Sequence, residues 1–130
     1  MKENKIKVAR IDENTLEIDY KVIDDTLSAY YRETNCECIQ FITLARLPYH
    51  EYGKIVAIID DNGKLRGRKP TMLLWGSDGK LIDFIVGDVI LARSYDYDDE
   101  LHSLELEDIF TVADNIIASL ELRNEIFSTR

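Results

Sequence analysis

Proline and glycine are scarce in this chain, two and six residues respectively, and no stretch gathers them with serine into a linker. Internal repeats and low-complexity tracts are also missing, so the 130 residues read as one domain, 1–130. A chain of this length buries roughly two-thirds of the surface that its unfolded form exposes, and it needs no metal or disulfide staple. Long apolar runs are missing as well: none approaches the roughly 20 residues of a membrane span, and the start, MKENKIKVARIDEN, has no apolar signal region. The expected location is the cytoplasm, with no membrane contact.

Cations are few. Sixteen Lys and Arg face 25 Asp and Glu, for a formal charge of −9 and a pI near 4.7. That balance excludes a general grip on nucleic-acid backbones, which depends on cations neutralising phosphates. It favours contact with a basic protein surface. Cys36 and Cys38 are the only cysteines and fall within a predicted strand, where both face one side. They are expected to be reduced, buried small hydrophobes. A zinc site would need further ligands, and the two histidines, His50 and His102, lie near no second Cys pair. Neither a Gly-x-Ser-x-Gly elbow nor a His-Glu-x-x-His pair occurs. The sequence therefore predicts no metal, no cofactor and no catalytic residue; the protein is read as a non-enzyme.

The chain is 45% hydrophobic and 32% charged, enough for a core beneath a charged surface. Residues 5–11 and 15–22 predict a hairpin in which Leu16, Ile18, Tyr20 and Val22 form the dry face. Asp24 or Asp25 is expected to cap a short helix reaching about Glu33, with Asn35 as its left-handed terminator. Residues 36–44 read as a central strand and 54–60 as another. Residues 84–93 are apolar and β-branched, and Gly87 within them suggests a bulge or a close backbone approach. The periodic run Leu106, Ile109, Phe110, Ala113, Ile116, Ile117, Leu120 and Phe127 predicts a long C-terminal amphipathic helix over 104–127, with Ser103 at its N-cap. The fold class expected is α+β: a single domain with a mainly antiparallel sheet, a short early helix and this long final helix.

Two charged segments stand out. In "DDNGKLRGRKP" (60–70), Asn62-Gly63 is a turn signal, so 54–60 and 64–68 are expected to pair or reverse. Lys64, Arg66, Arg68 and Lys69 then read either as a solvated hairpin end guarding a strand edge or as a site for a nucleotide or phosphate. Arg66 and Arg68 are both expected to be exposed. The segment lacks the spacing of a P-loop. The opposite pole is "DYDDELHSLELED" (96–108), where Asp96, Asp98, Asp99 and Glu100 are the candidate contacts for a basic partner. Asp96, Asp98, Glu100 and Glu107 match positions 1, 3, 5 and 12 of a calcium loop, but Leu101 stands where that loop needs Gly. Tyr49, Tyr52, Tyr95 and Tyr97 in loops fit either an interface or packing over the sheet ends.

The helix and strand from Leu27 to Leu44, followed by "IIDDNGKLRGRKPTMLL", "FIVGDVILAR" and "LHSLELEDI", resemble a family of small phage, plasmid and integrated-element proteins of unknown function from Gram-positive bacteria. The resemblance spans about 6–110. Thr71 replaces the family's usual Asn, and Thr34-Asn35 stands where a Gly pair often ends the first helix. The resemblance implies an accessory protein of a mobile element; the charge of −9, the acid run at 96–108 and the absence of catalytic constellations lead to the expectation that it acts by binding, as an acidic inhibitor of a host defence or nucleic-acid-handling protein. The alternative is a small-ligand module that uses the 63–69 loop. A homodimer through the final helix or an open strand edge stays open.

Overall fold

The computed structural model describes residues 4–47, 49–75, 78–98, 100–108 and 110. Seven-residue alternation produces the first hairpin, β1 (Lys5–Ile11) and β2 (Ile18–Asp24), in an unbroken antiparallel register. Asp12 shapes the connection by accepting from the N–H groups of Asn14 and Thr15, and these bonds hold its carboxyl below the usual value. Helix α1 (Leu27–Thr34) follows. Strands β3 (Ile39–Arg46), β4 (Gly53–Asp60), β5 (Pro70–Trp75), β6 (Leu81–Val86), β7 (Val89–Tyr95) and β8 (Leu101–His102) complete the order.

The main sheet runs β2-β1-β7-β4-β3, with β8 added to β7, while β5 and β6 form a separate two-stranded sheet. All the pairings are antiparallel. Central β4 and β7 are apolar on both faces because both faces are covered. Ile55, Ala57, Ile59 and Leu91 share a core cluster with Met72 of β5 and Ile85 of β6. On the other face Val56, Ile58, Ile90 and Ala92 share a cluster with Tyr30 of α1. Each fully buried Ile or Leu here contributes about 1.5–3 kcal/mol relative to exposure.

The α+β expectation with a long final helix is corrected. The described residues are 49% strand and 12% helix, with two short helices. Ser103 is not an N-cap: its hydroxyl accepts the Lys7 N–H at 2.9 Å, and the Leu104 N–H donates to the Lys7 carbonyl. The chain thus stays against β1 until Glu105, and helix begins only at Leu106. Residues 111–127 of the expected helix lie outside the described residues. No helix among the described residues is long and apolar enough to cross a membrane.

Smaller corrections have local causes. Thr26, not Asp24 or Asp25, caps α1, accepting the Ala29 N–H. Asp24 is held by Lys5 and Asp25 by the Tyr30 hydroxyl. Strand β3 is an edge rather than a centre, and Phe41 on it is 51% exposed. Cys36 and Cys38 precede it as free thiols, the first half-buried and the second exposed. On β2, Tyr20 and Val22 are exposed and Ile23, on the opposite face, is buried. Residues 61–67 are successive turns and do not pair with β4. Asn35 does end α1 in the left-handed region, at φ 53°.

Gly87 separates β6 from β7 at φ 86°, and a Cβ there would meet the Arg68 guanidinium carbon at 2.9 Å. Gly67 has a similar φ of 69° but open space around it. Gly67→Ala is therefore expected to cost about 1–2 kcal/mol from backbone strain alone. Gly87→Ala should cost clearly more, as read from urea unfolding midpoints.

Candidate functional site

The basic loop folds inward. Arg68 is 7% exposed at its side chain and lies among carboxylates from three segments: Glu13 at 2.7 Å, Asp60 at 3.1 Å and Asp88 at 3.1 Å. It also donates to the Thr34 carbonyl at the end of α1, at 2.7 Å. Burial alone would lower its pKa, but the bonds to Glu13 and Asp60 outweigh that and hold the guanidinium charged. Arg10 extends the cluster through Asp88 at 3.0 Å and Glu33 at 3.6 Å, and Lys21 reaches Glu33 at 2.9 Å. Asn35 donates to Asp88 at 2.6 Å, which gives its left-handed position a second task. Arg66 lies 2.6 Å from Asp60, Lys64 lies 2.5 Å from Asp83, and Lys69 donates to Asn14 at 2.9 Å. Arg68 is thus buried, contrary to the expectation of exposure. Each of the four cations has a partner within the protein, while Lys64 and Arg66 keep half of their side-chain surface exposed.

A second buried pair anchors the acidic segment. Arg93 of β7 binds Asp108 in bidentate fashion, Nε to Oδ2 at 2.8 Å and the second nitrogen to Oδ1 at 2.9 Å. The Tyr49 hydroxyl also donates to Asp108, whose other oxygen takes the Glu105 N–H at the helix start. Burial would raise the Asp108 carboxyl, but Arg93, Tyr49 and the Glu105 N–H more than reverse this, leaving it below the ordinary 3.8. Around this anchor Tyr95 stacks on Tyr97 at 5.2 Å and meets the rings of His50 and His102 at 4.8 and 4.7 Å. Tyr95, the last residue of β7, thus packs within a ring cluster at the sheet end, while Tyr49, Tyr52 and Tyr97 are 45%, 48% and 65% exposed.

Between α1 and this aromatic end, one face of the sheet opens into a groove of about 790 Å³. Its sheet residues include Phe41, Thr43, Lys54, Val56 and Ser94; Asp25, Thr26 and Leu27 border it from the start of α1. Asp98, Glu100 and His102 border it from the segment entering β8. The Glu100 N–H donates to the Asp98 carboxylate at 3.1 Å. The ligand-type atoms of these three residues lie within 4.8 Å of one another, and Asp98 is 3.1 Å from His102 Nε2.

The candidate acids separate accordingly. Asp98 and Glu100 reach the groove. Asp96 instead pairs with Arg46 at 2.7 Å and Lys54 at 3.5 Å, and chiefly the Arg46 hydrogen bond holds its carboxyl low. Asp99 lies outside the described residues. Sequence reasoning missed the groove residues Phe41, Thr43 and Asp25, for which no local pattern signals a site. It also missed the grouping of Asp98, Glu100 and His102.

A family model described as a domain of unknown function (DUF3846) matches residues 6–116. No curated protein and no solved structure matches the chain.

Two stability outcomes follow from the buried pairs. Arg68→Ala takes the shared cation from Glu13, Asp60 and Asp88, leaving Asp60 to Arg66 and Asp88 to Arg10, and is expected to cost up to about 3–5 kcal/mol in urea unfolding. Asp108→Asn should cost a similar amount at pH 7. A carboxyl whose folded pKa is depressed contributes stability above its unfolded pKa and loses it as pH falls through the folded value. The gap between Asp108→Asn and the parent should therefore narrow as pH falls below about 4 in a denaturation series.

Proposed function

We propose a function for a chain that belongs to the family described as a domain of unknown function (DUF3846), a membership that brings no activity with it: the protein is a non-enzymatic binding module. Its groove receives a basic segment of a partner protein. The observation that carries this reading is the division of charge. The cations of the 63–69 loop have internal partners, whereas Asp25, Asp98 and Glu100 border the large groove, with Lys5 and Lys54, beside exposed Phe41 and Leu27. Apolar side chains with acids around them suit a peptide that carries Lys or Arg next to an apolar anchor, since complementary charge speeds encounter and apolar contact slows release.

The finer form of the proposal is an accessory protein of a phage or other mobile element, working in the cytoplasm as an acidic inhibitor of a host defence or nucleic-acid-handling protein. The net charge of −9 supports it, because clefts that hold phosphate backbones are basic and an acidic surface matches them. The sequence resemblance to phage and plasmid proteins supports the setting.

A fluorescent Lys/Arg-rich peptide containing one Phe, followed by anisotropy across a salt series, tests the site. The parent should bind with an affinity that falls as salt rises, and Asp98→Asn/Glu100→Gln should weaken binding about tenfold and flatten the salt dependence. Equal affinity and equal salt dependence in the variant would remove this reading.

A further inference from the structure

The main sheet ends on β2, and among the described residues no strand pairs with its outer edge. Such an edge presents a row of unpaired N–H and C=O groups, and proteins usually blunt it with bulges, Pro or a short strand. The opposite edge, β3, has such a device, a register shift between Thr43 and Ala45. β2 has no such shift: its seven residues pair with β1 without interruption, and the charges it carries are Asp19, Lys21 and Asp24. Two of its side chains, Tyr20 and Val22, are 45% and 54% exposed although both are apolar in body. They border a common groove of about 270 Å³ with Leu104. Leu106 and Phe110, just beyond Leu104 in the chain, are also strongly exposed.

The charges on this edge say what fits it. In the segment Ile18-Asp19-Tyr20-Lys21-Val22, acid and base lie symmetrically about Tyr20. An antiparallel copy with its two-fold axis at Tyr20 places Asp19 opposite Lys21 of the second copy, and Lys21 opposite the second Asp19. Ile18 then faces Val22, and Tyr20 faces Tyr20. Each of these is a favourable cross-strand pair, contributing about 0.2–1 kcal/mol, with Lys21 shared between Asp19 of the second copy and its own Glu33, 2.9 Å away. An axis at Lys21 would instead oppose like charges, and an axis at Val22 would set Tyr20 against Asp24. The palindromic pattern therefore selects one partner and one register.

We propose that the β2 edge is a homodimer interface, in which two copies join their main sheets through an antiparallel β2–β2 pair centred on Tyr20. The interface is isologous, as closed two-fold assemblies require. The axis runs perpendicular to the sheet, so the α1 faces of both copies point the same way. The two acidic grooves then open on one side of the dimer, which adds avidity toward a partner carrying two basic segments. The dimer does not depend on the groove being a binding site.

Native mass spectrometry and light scattering of the full chain give the oligomeric state, and a cysteine scan gives the register. A dimer is expected, with dissociation strengthened about tenfold or more by Asp19→Lys, which sets Lys against Lys21 across the axis. Directly opposed residues in an antiparallel pair have Cα atoms about 4.5–5.5 Å apart, within disulfide range. Tyr20→Cys should thus oxidise to a covalent dimer whose 20–20 linkage peptide mapping identifies, distinct from any linkage through Cys36 or Cys38. Val22→Cys should not link to itself. A monomer at about 100 µM, well above the working range of specific assemblies, overturns the proposal. So does a dimer that Asp19→Lys leaves intact, or one in which Val22→Cys self-links and Tyr20→Cys does not.

Discussion

Arg68 carries a charge into a nearly sealed part of the molecule, where Glu13, Asp60 and Asp88 converge on it from three separate segments. A lone buried guanidinium would cost several kcal/mol, and so would the lone carboxylates; only their mutual approach, with hydrogen bonds for the remaining polar atoms, makes the burial tolerable. That requirement fixes the placement of the β1–β2 connection, the end of β4, the crossover from β6 to β7 and the end of α1. Gly87 belongs to the same constraint, since the guanidinium occupies the space where a Cβ would be. The two-stranded sheet and the main sheet therefore meet at a point defined by ion pairing, while the apolar clusters on either side supply most of the burial energy.

The same interaction decides where binding is expected. Arg66 and Arg68 both meet Asp60, so the 63–69 loop turns one arginine inward and leaves the other half exposed. At the other end, Arg93 draws Asp108 inward and holds the segment after β8 against the sheet. The groove is lined by Asp25, Asp98 and Glu100 together with Lys5, Lys54 and His102, beside exposed apolar surface. An acidic groove between a short helix and an aromatic cluster is a surface suited to a basic protein segment, and the supporting chemistry is ordinary charge complementarity over an apolar base.

Much of the sheet was legible because alternation and β-branching are local signals: β1 and β4 follow the hydrophobic pattern closely. Asn35 and Gly87 were legible for the same reason, since a left-handed position or a close approach restricts the residue type on the spot. The corrections come from partners that are distant in sequence. Nothing within residues 60–70 shows that Arg68 will meet Glu13, 55 positions earlier, so a buried arginine reads as an exposed one. Ser103 looks like a helix cap until the Lys7 N–H, 96 positions away, claims its hydroxyl. The division of one apolar run, 84–93, between two sheets likewise depends on Met72 and Ile85 packing against β4 and β7, a tertiary contact without a local trace.

Arginine side-chain hydrogen exchange tests this account most directly. In the structure the Arg68 Nε–H donates to Glu13 at 2.9 Å inside the network, whereas Arg66 stays half exposed. NMR of ¹⁵N-labelled protein should show a dispersed, slowly exchanging Nε–H signal for Arg68, assigned through its loss in an Arg68→Lys variant. Arg66 should exchange rapidly. An Arg68 signal that exchanges as fast as those of the solvent-facing arginines would contradict the buried network, and with it the assignment of binding to the acidic groove.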